Sequence, residues 1–599
     1  KPPDKPTVTA IPGDERVTLY WDQIAEESLD PISDEYDFEG YVIYRSTHPQ
    51  FLDQQTITDA NGSKFLFEPL KMYNGAPARF DLDNDYYGMS DIVYPGRGAY
   101  YTLGDNTGLV HSYIDSNNVL NGQSYYYAVV SYDHGSRELE IPPSECSKTI
   151  TLNPTTNELI TDINTVRVVP SSPAIGVVNG TILNNEIIHK TGVTTAKIFL
   201  DIVDPYSLQN NNQFEITFRE SPIRYSIKDL MLIEESVTIS IEQYRKLLHG
   251  NIDLGSVAVS DESGNTYFIN DDFELLDTTG KIKGIDGGGM IDGNTYTVSY
   301  LYYPIINSEA IDLELTNPIV DGVKITAKDV VLALNEENTK WSPTSSCTWE
   351  PEVIPFNGAD QFMYPGAYEV RFFNEIVDTS STSLHPSFGN SRMNFEVWDV
   401  TPGRVPFQEE VTIIEEGDDP DSLWSLGDRA IIMDGQPLGG KWEFTFFLPD
   451  SGDTIAASEG DIFFIDTHRP FSASDTMIYT TLATQYDKTV ASSKLDSIYV
   501  VPNPYVVTNV LEQLDLQSPM DRGPRKIYFT NLPKECTITI YTVNGELVET
   551  IKHDSEIDNS QEHWDLTTKD NFPLAYGVYL YHVDAPGIGE KLGRFAVIK

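Results

Sequence analysis

Four aspartates within eleven residues make the densest chemical cluster in the chain: DLDNDYYGMSD sets Asp81, Asp83, Asp85 and Asp91 close together. Carboxylates at alternate positions of a tight loop can converge on one hard cation, and Gly88 permits a sharp bend. Calcium takes six to eight oxygens at about 2.3–2.6 Å, a shell that carboxylates, carbonyls and water can supply. Calcium is therefore the one cofactor these residues could take, set against the plainer reading of a solvated acidic loop. The segment is no EF-hand, because glycine is missing from the sixth place and no glutamate closes it. A second acidic run, EEGDDPDSLWSLGD, carries Asp418, Asp419, Asp421 and Asp428 and reads as a polar hairpin between strands.

Spacing suited to catalysis is missing. The ten histidines are scattered, and no HExxH helix, G-x-S-x-G elbow, P-loop or CxxC pair occurs. GIDGGGMIDGN at 284–294 is glycine-rich but lies between strands, so it reads as a turn rather than a phosphate cradle. Carboxylates are so abundant that a pair at glycosidase spacing would carry little information. No enzyme activity is expected within these residues. Tyrosines of the segment 47–108 (YNG, DYYG, VYPGRGAYY) could form an aromatic platform for sugars or for another protein; the alternative is ordinary half-buried packing.

Ninety-one acidic against forty basic residues give a formal net charge of −51. Such a field repels phosphate backbones and anionic headgroups, so nucleic acid is excluded as a partner. The same field attracts divalent cations. Three cysteines far apart, Cys146, Cys347 and Cys536, build no disulfide framework. No apolar run approaches the ~18 residues of a membrane-spanning helix. The opening KPPDKP reads as a linker or a freshly exposed end, which leads us to expect a removed leader or a longer polypeptide before Lys1.

The elements around these residues are strands. RVTLYWD, YVIYRS, YYYAVVSYD, NQFEITFRE, TYTVSYLYY, WEFTFFL, TITIYTV and GVYLYHV alternate apolar and polar positions between Gly, Asn, Asp and Pro. Helical periodicity is confined to IEQYRKLLH at 241–249, stopped by Gly250. An all-β chain of several β-sandwich domains in series follows. The expected units are 1–154, 155–335 with the short helix, 336–487, and 498–599, with ATQYDKTVASSKLDS as a polar connector. VVPSSP near Val168 and VVPNPY near Val500 echo one another and mark strands entering new units.

Within the first unit, KPTVTAIPGDERVTLYWD, FEGYVIYRS and VLNGQSYYYAVVSYD resemble a fibronectin type III domain. The resemblance implies an immunoglobulin-like sandwich in which Trp21 fills the inner face. It also makes Tyr125 the corner tyrosine whose hydroxyl ties down the preceding loop. The segment at about 47–108 departs from that family as a long insertion and could carry a site of its own.

The chain's end resembles the type A sorting domain of type IX secretion substrates, on the strength of VPNPY, ITIYTVNGELVETI, HWDLT, LAYGVYLYHV and GEKLGRFAVIK. The signature residues are Pro502, Asn503, Pro504, Asn544, Gly545, Trp564, Gly577 and Lys591. Asn544 and Gly545 read as a two-residue hairpin turn. Trp564 reads as a core filler and Gly577 as the point where a strand approaches closely, with Lys591 in a closing edge strand. The stretch between Tyr505 and Lys526 is longer than in many relatives. By resemblance, the partner is an outer-membrane secretion translocon, and the location is the exterior or outer surface of a Gram-negative bacterium. The expected function is a structural or adhesive surface protein, such as a subunit of a layer or filament, with copies of itself, other surface proteins or glycans as further partners. An accessory portion of a larger secreted hydrolase and a glycan-binding module are the alternatives.

Overall fold

A computed structural model describes residues 1–598 except 33, 57–65, 95–97, 153–158, 220–221, 310, 312–318, 357–363, 386–387, 389, 417–420, 437–438 and 507–524. The chain is all-β, and among the described residues every strand pairing but one is antiparallel. The expected strands form where alternation placed them, from Arg16–Trp21 to Gly577–Ala585.

The first unit packs the sheet Val8–Gly13, Arg16–Trp21, Ser112–Asp115 against Arg79–Asp81, Phe38–Ser46, Tyr125–Asp133, Thr165–Val168. Val17, Leu19, Trp21, Tyr41, Ile43, Tyr127 and Val129 fill the space between them. Thr165–Val168 belongs to this sheet, lying beside Tyr125–Ala128. The Tyr125 hydroxyl accepts from Leu120 N at 3.0 Å and reaches Asn118 O at 3.4 Å, so it pins the loop before its own strand. Antiparallel strands usually leave one face to water. Here every residue of Tyr125–Asp133 is buried, because the inserted segment lays a second core over the outer face. That core joins Tyr44, Phe51, Tyr101, Leu103, Tyr126 and Tyr132.

The middle of the chain is nested rather than serial. Asn212–Arg219 and Arg224–Thr238 begin a sheet whose other neighbour, Thr476–Leu482, arrives more than 230 residues later. Met477 and Tyr479 pack with Phe214, Ile216, Tyr225 and Ile325 in one core. Between them sits a complete sandwich with its own aromatic core of Trp349, Phe372, Phe395, Trp442, Phe446 and Phe463. Its entry and exit are neighbours, since Ala333 pairs with His468 and Leu334 with Thr467. The long ribbon Arg224–Thr238 and Thr295–Ser308 extends out of the sheet to carry a small satellite core around Ile239, Leu247, Phe273 and Ile282.

The helix expected at 241–249 is absent. Ser240 Oγ accepts from Glu242 N and Gln243 N, making a local turn, and Arg245–Lys246 pairs with the strand Lys281–Gly284. Only Leu247 of the apolar stripe is buried in the satellite core, while Leu248 is 70% exposed. Tertiary pairing overrides the helical spacing. The one α-helix among the described residues is Lys488–Lys494, in the stretch read as a polar connector. Asp487 caps it by accepting from Thr489 N at 2.7 Å.

Candidate functional site

The four aspartates part company. Asp81 is fully buried and turned inward: its carboxylate accepts from Asn106 N at 2.6 Å, Thr107 N at 2.9 Å and Thr107 Oγ1 at 2.7 Å. It therefore staples the loop after Tyr100–Gly104, where Gly104 leaves room that a Cβ would take from the carboxylate. Asp83 and Asp85 are exposed, and Asp91 pairs with Arg137 at 2.8 Å. Among the described residues no three His, Cys, Asp or Glu side chains converge as metal ligands. In the second acidic run Asp428 is likewise a loop staple, accepting from Glu416 N and Ser425 N. Asp421 is exposed and caps its own turn through Leu423 N; Asp418 and Asp419 lie outside the described residues. The aromatic segment is divided: Tyr101 is buried and donates to Glu145 and Tyr86 stacks on His134, while Tyr73, Tyr87 and Tyr100 stay exposed.

Sequence reasoning missed a group of buried carboxylates beneath that loop. Burial pushes Glu39 up to about 8, against the Asn84 hydrogen bond and with the help of the Asp81 charge. Burial, then the charges of Asp133 and Asp30, push Asp37 up to about 7, and burial raises Asp133 to about 6 against its Ser144 donors. Unfolded carboxylates titrate near pH 4. Between that pH and about 8 the unfolded chain holds fewer protons than the folded one, so stability falls as pH rises. The contribution is complete below about pH 4 and lost through the folded values. In chelator, denaturant titrations of Glu39→Gln are expected to lose about one proton's worth of that slope, roughly 1.4 kcal/mol per pH unit at its steepest. An unchanged slope would refute the placement of Glu39.

The terminal unit gathers most of its signature at one end. Tyr499–Val501, Ile527–Thr530 and Glu562–Trp564 form one sheet; Tyr505–Val506, Gly589–Ile598, Gly577–Ala585, Glu535–Thr542 and Leu547–Asp554 form the other. Pro502, Asn503 and Pro504 carry the chain from the first sheet to the second. Prolines have no N–H for a ladder, and the Asn503 carboxamide supplies the missing contacts. Its Nδ2 donates to Arg594 O at 3.2 Å, and its Oδ1 accepts from Ala596 N at 3.1 Å. Gly577 opposes Val597, Tyr505 opposes Val597 from the other side, and Thr542 opposes Tyr579. The proline segment, the 543–546 turn and the start of Gly577–Ala585 therefore meet at the same end. The outward face there is apolar, with Val506, Tyr576, Val578, Leu580 and Ile598 all exposed.

Three expectations need correction in detail. The turn is not a two-residue one: Gly545 N donates to Thr542 O, Thr542 N to Glu546 O, and only Gly545 has positive φ, at 86°. That is the three-residue loop in which glycine takes the left-handed position after a type I turn. Gly577 permits no close approach, since a Cβ there would meet only Tyr579 Cε2 at 3.9 Å. The glycine that does is Gly593, whose Cβ would fall 2.1 Å from the Tyr581 ring. Gly593→Ala is expected to cost about 1–3 kcal/mol by overpacking and Gly577→Ala under about 0.5, measured by denaturant unfolding. Gly589–Ile598 is not a free edge either, because Tyr505–Val506 pairs with its end in parallel. Trp564 is buried as expected, and Lys591, at the opposite end, bonds Asp496 at 2.6 Å.

This unit is built into the body. Ala174 N donates to Ile557 O and Ile175 N to Leu532 O, so the 170–176 segment straps across it. Ile175, Ala491 and Leu495 are members of its core. Tyr528 OH reaches Gly122 O of the first unit at 3.1 Å.

No protein-family model matches the chain, and no curated protein sequence does. Among solved structures it is similar to PorZ, an essential bacterial surface component of the type IX secretion system of Porphyromonas gingivalis (11% identity, all of this chain and 98% of that one, TM-score 0.18). A second is dimeric latent PorU of the same organism (11% identity, 99% of this chain and 34% of that one, TM-score 0.12). A third is the BSP domain of a biofilm-associated protein (9% identity, 99% and 96%, TM-score 0.11).

Proposed function

We propose that the chain is a surface protein of a Gram-negative bacterium, exported by the type IX pathway through its terminal sandwich. The remaining sandwiches act as a non-catalytic structural body. The observation that carries this reading is the convergence of the proline segment, the glycine turn and the last strand around one exposed apolar end. Contiguous exposed apolar patches mark interaction sites, whereas single apolar residues scattered over a surface do not. Nesting of the middle sandwiches and the strap across the terminal unit favour a rigid body over a string of loose modules.

The test is the full chain in a host with a working type IX system, scored by surface biotinylation. Val578→Asp together with Leu580→Asp changes only outward positions, so it should leave the fold intact and drop the surface fraction several-fold. Asn503→Ala, which removes two hydrogen bonds worth about 1 kcal/mol each, should show a smaller loss. Undiminished surface delivery of the folded double variant would count against this recognition face.

A further inference from the structure

Beneath the acidic loop, hydrogen bonding leaves a buried polar pocket incomplete. Phe38–Ser46 and Tyr125–Asp133 pair with a register shift: Gly40 faces Tyr132, while Phe38 faces Asp133. Glu39 is thus the extra residue of a β-bulge, a feature that re-aims a side chain. Its carboxylate lies inside, 0% exposed, where it and Asp81 both act on the Tyr132 hydroxyl. Asn84 links the parts: its Nδ2 donates to Glu39 Oε2 at 3.1 Å, and its main-chain oxygen accepts from Asn106 Nδ2 at 2.9 Å.

Two acceptors remain over. Glu39 Oε1 and Asn106 Oδ1 are both sealed from solvent and have no donor among the described residues. Buried polar atoms are almost always paired, and an unpaired carboxylate oxygen is the costliest exception. The nearby guanidinium of Arg79 does not reach them; it lies over the Tyr101 and Tyr132 rings, 4.9 Å from each centroid, with its own Nη1 likewise sealed and unpaired. Two orphan oxygens, joined through Asn84 and the Asn106 N–H to one network with the Asp81 carboxylate, lack a partner that accepts several oxygens at once.

We propose that Glu39 Oε1, the Asp81 carboxylate and Asn106 Oδ1 hold one calcium ion, with water completing the shell. A mixed set of carboxylate and amide oxygens in an irregular loop suits calcium better than magnesium, which demands near-octahedral order. So few protein ligands give a weak site, in the 10⁻⁴–10⁻³ M range typical of extracellular modules. The site differs from the four-aspartate loop in its ligands: only Asp81 is shared.

Amide exchange read by mass spectrometry on the full chain tests this, because Asn106 N and Thr107 N both bind Asp81. At pH 8, about 5 mM calcium, above that affinity range, should slow exchange of the 103–109 peptide at least fivefold relative to chelator. Glu39→Gln should abolish the response, and Asp83→Asn with Asp85→Asn should preserve it. Should Glu39→Gln fail to fold, Asn106→Ala serves instead, with its calcium midpoint raised about tenfold. No response in the unaltered chain, a full response to magnesium, a response kept in Glu39→Gln, an unshifted midpoint in Asn106→Ala, or a response lost in the Asp83/Asp85 variant would each overturn the assignment.

Discussion

Trp564→Ala is expected to lower the stability of the terminal unit by about 3–5 kcal/mol, the range for truncating a fully buried large aromatic. The indole is 4% exposed, sits 6.1 Å from the Phe595 ring, and donates Nε1–H to Thr567 O at 2.9 Å. The loss combines a cavity within the core that Phe529, Tyr579 and Phe595 share with it and an orphaned carbonyl at Thr567. Because Ile175, Ala491 and Leu495 share this core, loosening should spread to the 170–176 strap and the Lys488–Lys494 helix. It should not reach the Trp442 core. Limited proteolysis across a denaturant series reads both: cleavage near 170–176 and 488–498 should begin at much lower denaturant, with cleavage inside 340–465 unmoved. Equal protection of the strap in the variant would show that the terminal unit is merely tethered.

Ending the chain at residue 335 is expected to abolish folding of the second sandwich, whereas excising the sandwich nested inside it should not. Thr476–Leu482 pairs with Asn212–Arg219 along six residues and supplies Met477 and Tyr479 to the core. Removing it exposes an inner strand and deletes two large buried side chains, together well beyond the usual 5–15 kcal/mol margin of a domain once the lost ladder is added. In contrast, joining Leu334 to Thr467 through an Asn-Gly turn bridges residues that are already cross-strand partners. Circular dichroism melting of the two shortened chains distinguishes them. A cooperative transition for the second unit in the chain ending at 335 would contradict the nesting.

Strands were legible because alternation is local, and the tyrosine corner at Tyr125 because its partner lies within seven residues. The nesting was not, since nothing in TMIYTTL says which earlier strand it joins; register over more than 230 residues is a tertiary fact. The same limit explains Thr165–Val168, whose proline-flanked sequence announces a boundary but not on which side it falls. Residues 241–249 carried a helical stripe, yet sheet pairing at Arg245–Lys246 and the Ser240 turn decide the outcome. At the sites, identity was readable and orientation was not. Asp81 looks like its neighbours in sequence, and only the fold turns it inward. Glu39 carried no signal at all, because a β-bulge cannot be read from FEGYVIY. In the terminal unit Trp564 is the core filler that its residue type suggests, while the close-approach role moves from Gly577 to Gly593 because only the latter faces the Tyr581 ring.

Delivery of the unaltered chain in paired hosts, one with and one lacking the type IX translocon, tests the export reading without disturbing the fold. Surface biotinylation should label it in the first, and in the second it should be retained in the periplasm, folded and unlabelled. Equal labelling in both hosts would mean that the terminal sandwich is not the address, and the account would fail.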